Sequence, residues 1–237
     1  MNEHLSKQFD SELDAIRAEI TRMGGMVEEQ VRSAVSAFVA TDYARDQLDQ
    51  IISRDKGIDA MEIAIDEACT RIVAKRQPTA IDLRMVMAAS KTVTDLERIG
   101  DEAKKIAKTT RKIAESGING AQAQVLQVRL IGDQVASMLH EVLDAFVRLD
   151  IETAAQIVRR DKEVDEHFRA IVRQMITYMM EDPRTITTSL DIVFIAKSIE
   201  RIGDHCKNIA EDVVYMAKGR DVRHIGLEGL EQEIRGA

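Results

Sequence analysis

Two short segments of this chain each occur twice, in the same order. Arg54-Asp55-Lys56-Gly57-Ile58-Asp59 is answered by Arg160-Asp161-Lys162-Glu163-Val164-Asp165, and Glu97-Arg98-Ile99-Gly100-Asp101 returns unchanged as Glu200-Arg201-Ile202-Gly203-Asp204. The first pair is offset by 106 positions and the second by 103, so a three-residue length difference lies between them, most simply at the loops carrying Pro78 and Pro183. Self-similarity at this spacing means one structural unit used twice.

What the unit is made of follows from periodicity and punctuation. Apolar residues recur at helical spacing over six segments, about 5–40, 43–76, 79–115, 121–149, 151–181 and 184–218. Only 2 Pro and no Trp occur in 237 residues, aromatics are 3% and charged residues 31%, which suits long packed helices and not strands. Ser116-Gly117-Ile118-Asn119-Gly120 is the clearest break and divides the chain almost in half. The expected fold is therefore all-α, two tandem pseudo-repeated three-helix bundles of long antiparallel helices, with residues 1–117 the first, 118–218 the second and 219–237 a tail that carries no pattern. Helices of thirty-odd residues run roughly 45–50 Å and need neighbours along their length. The Gly24-Gly25 pair predicts a kink or local break in the first helix.

A formal charge of −8 without a Lys/Arg cluster argues against a nucleic-acid partner. No apolar run is long enough to span a bilayer, and Met1-Asn2-Glu3-His4 opens without the charged and apolar regions of an export signal, so a soluble cytoplasmic chain is expected. Cys69 and Cys206 lie in helical segments without paired spacing and read as small buried hydrophobes.

The repeated motifs carry the chemistry. Residues four apart share a helix face, so Glu97 with Asp101, Glu200 with Asp204, Asp55 with Asp59 and Asp161 with Asp165 form four like-charged couples. Each such couple costs a helix roughly 0.2–0.5 kcal/mol, a cost that a divalent cation between the oxygens reverses. Acids are about one residue in six here, so one Asp-x-x-x-Asp means little. Four at matching places in two repeats mean more. Glu97 and Glu200 directly follow members of the apolar lines of the third and sixth helices, which puts their carboxylates beside the core stripe, near a neighbouring helix. Gly100 and Gly203, between the acids, mark a close approach to the backbone by a helix or a hydrated ion. An all-oxygen set suits Mg²⁺, Mn²⁺, Ca²⁺ or iron. The alternative is that the acids pair with Arg54, Arg98, Arg160, Arg201, Lys104 or Lys207 and hold no metal.

No recognisable catalytic apparatus accompanies these acids. The Glu-x-x-His of di-iron bundles is absent, as are a Gly-rich phosphate loop, His-Glu-x-x-His and Gly-x-Ser-x-Gly. His205 reads as a polar side chain satisfied at a helix interface, and Met175, Met179 and Met180 with Tyr178 as core packing. Asn208 and Glu211 continue the Glu200–Asp204 face as candidate extra ligands.

The two Glu-Arg-Ile-Gly-Asp segments, the Asp-Lys-x-x-Asp segments before them and the longer Glu200-Arg201-Ile202-Gly203-Asp204-His205-Cys206-Lys207-Asn208-Ile209-Ala210-Glu211 resemble the PhoU family of bacterial phosphate-transport accessory proteins over nearly the whole chain. The resemblance implies two three-helix bundles with metal ions, often multinuclear, held at the surface by Asp55, Asp59, Glu97 and Asp101 in one half and Asp161, Asp165, Glu200 and Asp204 in the other. It further implies negative regulation of phosphate uptake and of the phosphate-starvation response, without enzymatic activity, between the ATPase subunit of a phosphate ABC transporter and a sensor histidine kinase. Membrane association then comes only through protein partners, and a homodimer is the default assembly. The first half has Glu102 and Lys105 where the second has His205 and Asn208, so the two sites are expected to be unequal, with the second nearer the family pattern. A metal-dependent hydrolase and a metal-free helical adaptor are the rival readings.

Overall fold

Leu149 and Asp150 show how this chain stops one long helix and starts the next. Leu149 takes a left-handed φ of 53°, and the Asp150 carboxylate then accepts the backbone N–H groups of Glu152 and Thr153, both at 3.1 Å, as an N-cap. Asp182 does similar work before Pro183, accepting the Arg184 N–H at 3.0 Å. The computed structural model describes residues 2–40, 45–115 and 122–235. Its helices are α1 (Asn2–Val39), α2 (Arg45–Arg76), α3 (Ala80–Glu115), α4 (Gln122–Arg148), α5 (Ile151–Glu181), a 3₁₀ turn (Pro183–Thr185), α6 (Ile186–Lys218) and α7 (Gly226–Arg235). No strand occurs among the described residues. The expected break at Ser116–Gly120 lies outside them.

Four helices lie side by side in the order α2, α3, α6, α5, with α1 and α4 behind them. Neighbours within that row are antiparallel, whereas α1 runs parallel to α3, with Arg17 at Met85 and Gln30 beside Gly100. Across the middle of the front layer, Lys91 meets Asp212, Asp95 meets His205, Glu102 meets Arg201 and Lys112 meets Asp191, so α3 and α6 run in opposite directions. The two repeats are thus related by a pseudo-twofold axis and share a continuous core, with Leu96, Ile99, Ile106, Ile195 and Ile202 buried along the central pair. Each fully buried Leu or Ile contributes roughly 1.5–3 kcal/mol.

The same axis explains Gly24, where no local break of the helix occurs. α1 continues unbroken through Gly24-Gly25. A Cβ at Gly24 would collide with Leu143 of α4, and one at Gly132 of α4 would lie 2.6 Å from Val35 Cγ1 of α1. The two glycines are holes that each receive a side chain from the other repeat.

Two further expectations change. The tail is structured: Gly219 ends α6 with φ 76°, and Val222 and Leu230 are buried as α7 packs on α5. Met180 is not core but 79% exposed, whereas Met175 is buried and Met179 and Tyr178 pack against the core. Cys69 and Cys206 are buried free thiols, as expected. No helix among the described residues is long and apolar enough to cross a bilayer.

Candidate metal centre

Each repeat pairs its two motif helices as an antiparallel hairpin, α2 with α3 and α5 with α6, and the motif acids come together there. Gly100 and Gly203 allow the approach. A Cβ at Gly100 would lie 3.2 Å from Ile58 Cδ1 of α2, and one at Gly203 would lie 3.3 Å from Val164 Cγ1 of α5. Ile58 and Val164 occupy the same place in the duplicated motif, so the glycines admit a neighbouring helix and not an ion.

In the first hairpin Asp55 is buried, 2% exposed, and is bonded by the Lys104 ammonium, which also reaches Asp101 Oδ1 at 3.3 Å. Glu97 and Asp59 stand half-buried beside them. Partial burial, and then the charges of Asp101, Glu62, Asp59 and Asp55, push the Glu97 carboxyl above its ordinary pKa. In the second hairpin Asp161, 3% exposed, accepts from Lys207 Nζ at 3.0 Å. Burial still raises the Asp161 pKa, with Lys207 only partly offsetting it. Burial raises Asp204 as well, followed by the charges of Glu200 and Asp161, against a smaller opposing effect of Lys197. Glu200 is gripped by Lys197, with Oε1 at 2.6 Å, and Asp165 has Arg169 at 3.9 Å. All eight motif acids thus lie on the two hairpins, four on each.

An ammonium thus stands among the acids at the same repeat position in each half, Lys104 and Lys207, and the second half adds Lys197 on Glu200. Of the basic residues weighed as partners, Lys104 and Lys207 pair with motif acids. Arg54 pairs with Glu29, Arg160 with Glu141 and Arg201 with Glu102 instead. With the side chains as they stand, no three acids, histidines or cysteines among the described residues are placed to hold one ion. The donor chemistry nonetheless fits a hard cation. The groups are carboxylates, they outnumber the ammonium groups in each hairpin, and burial, followed by their mutual repulsion, holds Glu97 and Asp204 toward protonation. Lys104 and Lys207 are 26% and 35% exposed on flexible stems, so either ammonium has a path out to water.

Sequence reasoning passed over Glu62 and Asp66. They continue the Asp55–Asp59 stripe of α2, but their repeat counterparts are Phe168 and Val172, so a search for duplicated acids misses them. Burial and the charges of Asp59 and Asp66 raise the Glu62 pKa, and Asp66 accepts the Ser90 hydroxyl at 2.6 Å. The first hairpin therefore gathers more acids than the second. His205 and Asn208 turn away from Asp204: His205 Nδ1 lies 2.7 Å from Asp95 Oδ1, and the Asn208 amide donates to the same oxygen at 3.2 Å. His205 is thus a satisfied interface residue. Glu211 is buried, which pushes its carboxyl up to about 7, and the main charges acting on it are those of Lys207, Asp212, Arg223 and Asp161.

Comparison with known proteins agrees with this architecture. The PhoU domain matches residues 20–110 and 128–213, one copy per repeat. The phosphate-specific transport system accessory protein PhoU of Escherichia coli is 49% identical over 100% of this chain and 96% of that protein. The Pseudomonas aeruginosa homolog is 46% identical over 99% and 95%. The crystal structure of PhoU from Pseudomonas aeruginosa superposes with a TM-score of 0.84 at 45% identity, covering 90% of this chain and 100% of that one. The phosphate transport system regulatory protein PhoU from Streptococcus pneumoniae gives 0.81 at 29%, covering 90% and 99%. With the duplicated hairpins, the cross-repeat core and a match in each half, this chain belongs to the PhoU family.

Proposed function

We propose that this chain is a non-enzymatic regulator of phosphate transport. It restrains phosphate uptake and the phosphate-starvation response in the cytoplasm, as a homodimer linking the ATPase subunit of a phosphate ABC transporter to a sensor histidine kinase. Carboxylates of the two hairpins hold divalent or iron-type ions: Asp55, Asp59, Glu97 and Asp101, with Glu62, in the first half, and Asp161, Asp165, Glu200 and Asp204 in the second. A bound ion would neutralise these acids and tie α2 to α3 and α5 to α6. The names of the relatives support the transport role.

The observation that carries the metal reading is the duplicated excess of carboxylates over ammonium groups in each hairpin, four motif acids around Lys104 in the first and around Lys207 and Lys197 in the second. For the partner role, the support is an apolar stripe on the second hairpin. Ile186, Leu190 and Phe194 recur every four residues on α6, with Ile176 and Met180 on α5, all exposed. Such a stripe suits a protein contact. The metal-free adaptor is the second reading, favoured by the Lys104 and Lys207 ion pairs, which satisfy part of each cluster without any ion.

Deletion of the gene is expected to leave phosphate-repressed genes expressed in phosphate-rich medium, measured with a reporter; unchanged expression contradicts the regulatory role. Restoring the gene with Glu97→Ala, Asp101→Ala, Glu200→Ala and Asp204→Ala together is expected not to restore repression. Full repression by that variant, present at wild-type abundance, favours the adaptor.

A further inference from the structure

The pseudo-twofold axis predicts that every charge pair across α3 and α6 has a twin, and one twin is missing. Arg201 Nη1 lies 3.2 Å from Glu102 Oε1, and Lys105 reaches the same oxygen at 2.9 Å, closing a network on one side of the axis. On the other side the counterpart of Arg201 is Arg98, but the counterpart of Glu102 is His205. His205 is committed to Asp95. Arg98 consequently makes no ion pair or hydrogen bond with any described residue, and acts only through space on Glu62.

Arg98 lines an open groove of about 340 Å³ between α3, α6 and the segment after α6. Lys91 and Arg223 line it too, and their counterparts do not recreate it elsewhere. Lys91 corresponds to Phe194, and Arg223 comes from the tail that only the second repeat has. The cations sit outward: Lys91 and Arg223 are 40% and 45% exposed, and Arg98 is exposed. The two acids of the groove, Asp95 and Asp212, are buried. Both are also engaged, Asp95 by His205 and Asn208, Asp212 by Lys91 at 3.7 Å. Arg223 spends one edge of its guanidinium on Asp221, with Nε to Oδ1 at 2.9 Å, and leaves Nη1 for another acceptor. Ser90 and Thr94 have given their hydroxyl protons elsewhere, so recognition falls to the cations. An anion arriving from water meets three positive side chains at the rim before either carboxylate on the floor, in a molecule whose formal charge is −8.

We propose that this groove is an anion site that takes a phosphoryl group, held by Arg98, Lys91 and Arg223. Guanidinium forks match the oxygens of a tetrahedral dianion, and a lysine adds a third charge. The free phosphate ion and the phosphate of a small phosphomonoester share this chemistry. The site does not need metal in the carboxylate hairpins.

The test is calorimetric titration of the full-length, resin-stripped, metal-free protein with orthophosphate and, separately, with AMP, at constant ionic strength. Arg98→Gln and Arg223→Gln remove two of the charges at exposed positions, and Arg71→Gln, on the far edge of α2, serves as a control; melting curves check that each is folded. Saturable binding, weakened about tenfold or more by each groove substitution and unchanged by Arg71→Gln, is expected. Tighter AMP identifies a phosphomonoester as the source, and equal or tighter orthophosphate identifies the free ion. Should one groove variant fail to fold, Lys91→Met replaces it with the same expectation. Absence of saturable binding for both probes overturns the proposal, as does binding that persists in the Arg98→Gln/Arg223→Gln pair or falls equally in Arg71→Gln.

Discussion

Replacing Lys104 with Met removes the ammonium that pairs with the motif acids Asp55 and Asp101 of the first hairpin while keeping most of its volume. Asp55, 3% exposed at its side chain, then loses the partner that offsets its burial. Breaking a buried pair from one side costs about 3–5 kcal/mol. Lys104 is about a quarter exposed, so water partly replaces it and a loss of about 2–3 kcal/mol is expected. For a chain of this length that lowers Tm by roughly 5–10 °C, measured by circular dichroism on metal-free protein at pH 7.5. Asp55→Asn added to Lys104→Met is expected to recover much of the loss, because no buried charge then stands alone. If the single variant melts within about 2 °C of wild type, or if the two substitutions add independently, the ammonium is not what balances Asp55. Mn²⁺ is expected to raise the Tm of Lys104→Met more than that of wild type, since the ion no longer competes with the lysine. An excess of 100-fold over Kd is worth about 2.7 kcal/mol.

The adjacent glycines of α1 are expected to respond with opposite signs. Gly24→Ala drives a methyl into Leu143 and should cost about 1–3 kcal/mol, whereas Gly25→Ala, with nothing within 4 Å, should gain up to about 1 kcal/mol. Equal effects in urea titrations contradict the knob-and-hole account of the α1–α4 contact. Burial holds Glu211 at about 7 and Asp212 at about 6, above their ordinary values, so the folded state binds protons that the unfolded state releases. Stability is therefore expected to fall as pH rises from about 4 through about 7, with Glu211 responsible for at most about 3 kcal/mol. Glu211→Gln should flatten that slope and be the more stable protein at pH 8; an unchanged slope assigns the effect elsewhere.

Much of this was legible in the sequence because duplication writes the same constraint twice. The helices, the division into two repeats and the four acidic couples all follow from spacing. What was illegible depends on contacts between distant residues. Gly24-Gly25 reads as a weak point by helix propensity, yet Gly24 is where Leu143 enters, 119 positions away. Nothing in the motif shows that Lys104 and Lys207 turn into the acids while Arg98 and Arg201 do not. His205 looks like a neighbour of Asp204, but helical geometry turns it to Asp95 of the other repeat, 2.7 Å away. Glu62 and Asp66 escaped because the second repeat replaced them with Phe168 and Val172. The tail offers too few apolar residues to show a pattern alone, and only the core explains why Val222 and Leu230 are covered.

The central claim, that the duplicated carboxylate hairpins hold metal, is tested most directly by elemental analysis of protein purified without chelator, followed by titration of stripped protein with Mn²⁺ and Fe²⁺. The account predicts bound metal in the native protein, saturable rebinding after stripping, and loss of both in the folded variant carrying Glu97→Ala, Asp101→Ala, Glu200→Ala and Asp204→Ala. Native protein that contains no metal and binds neither ion contradicts it.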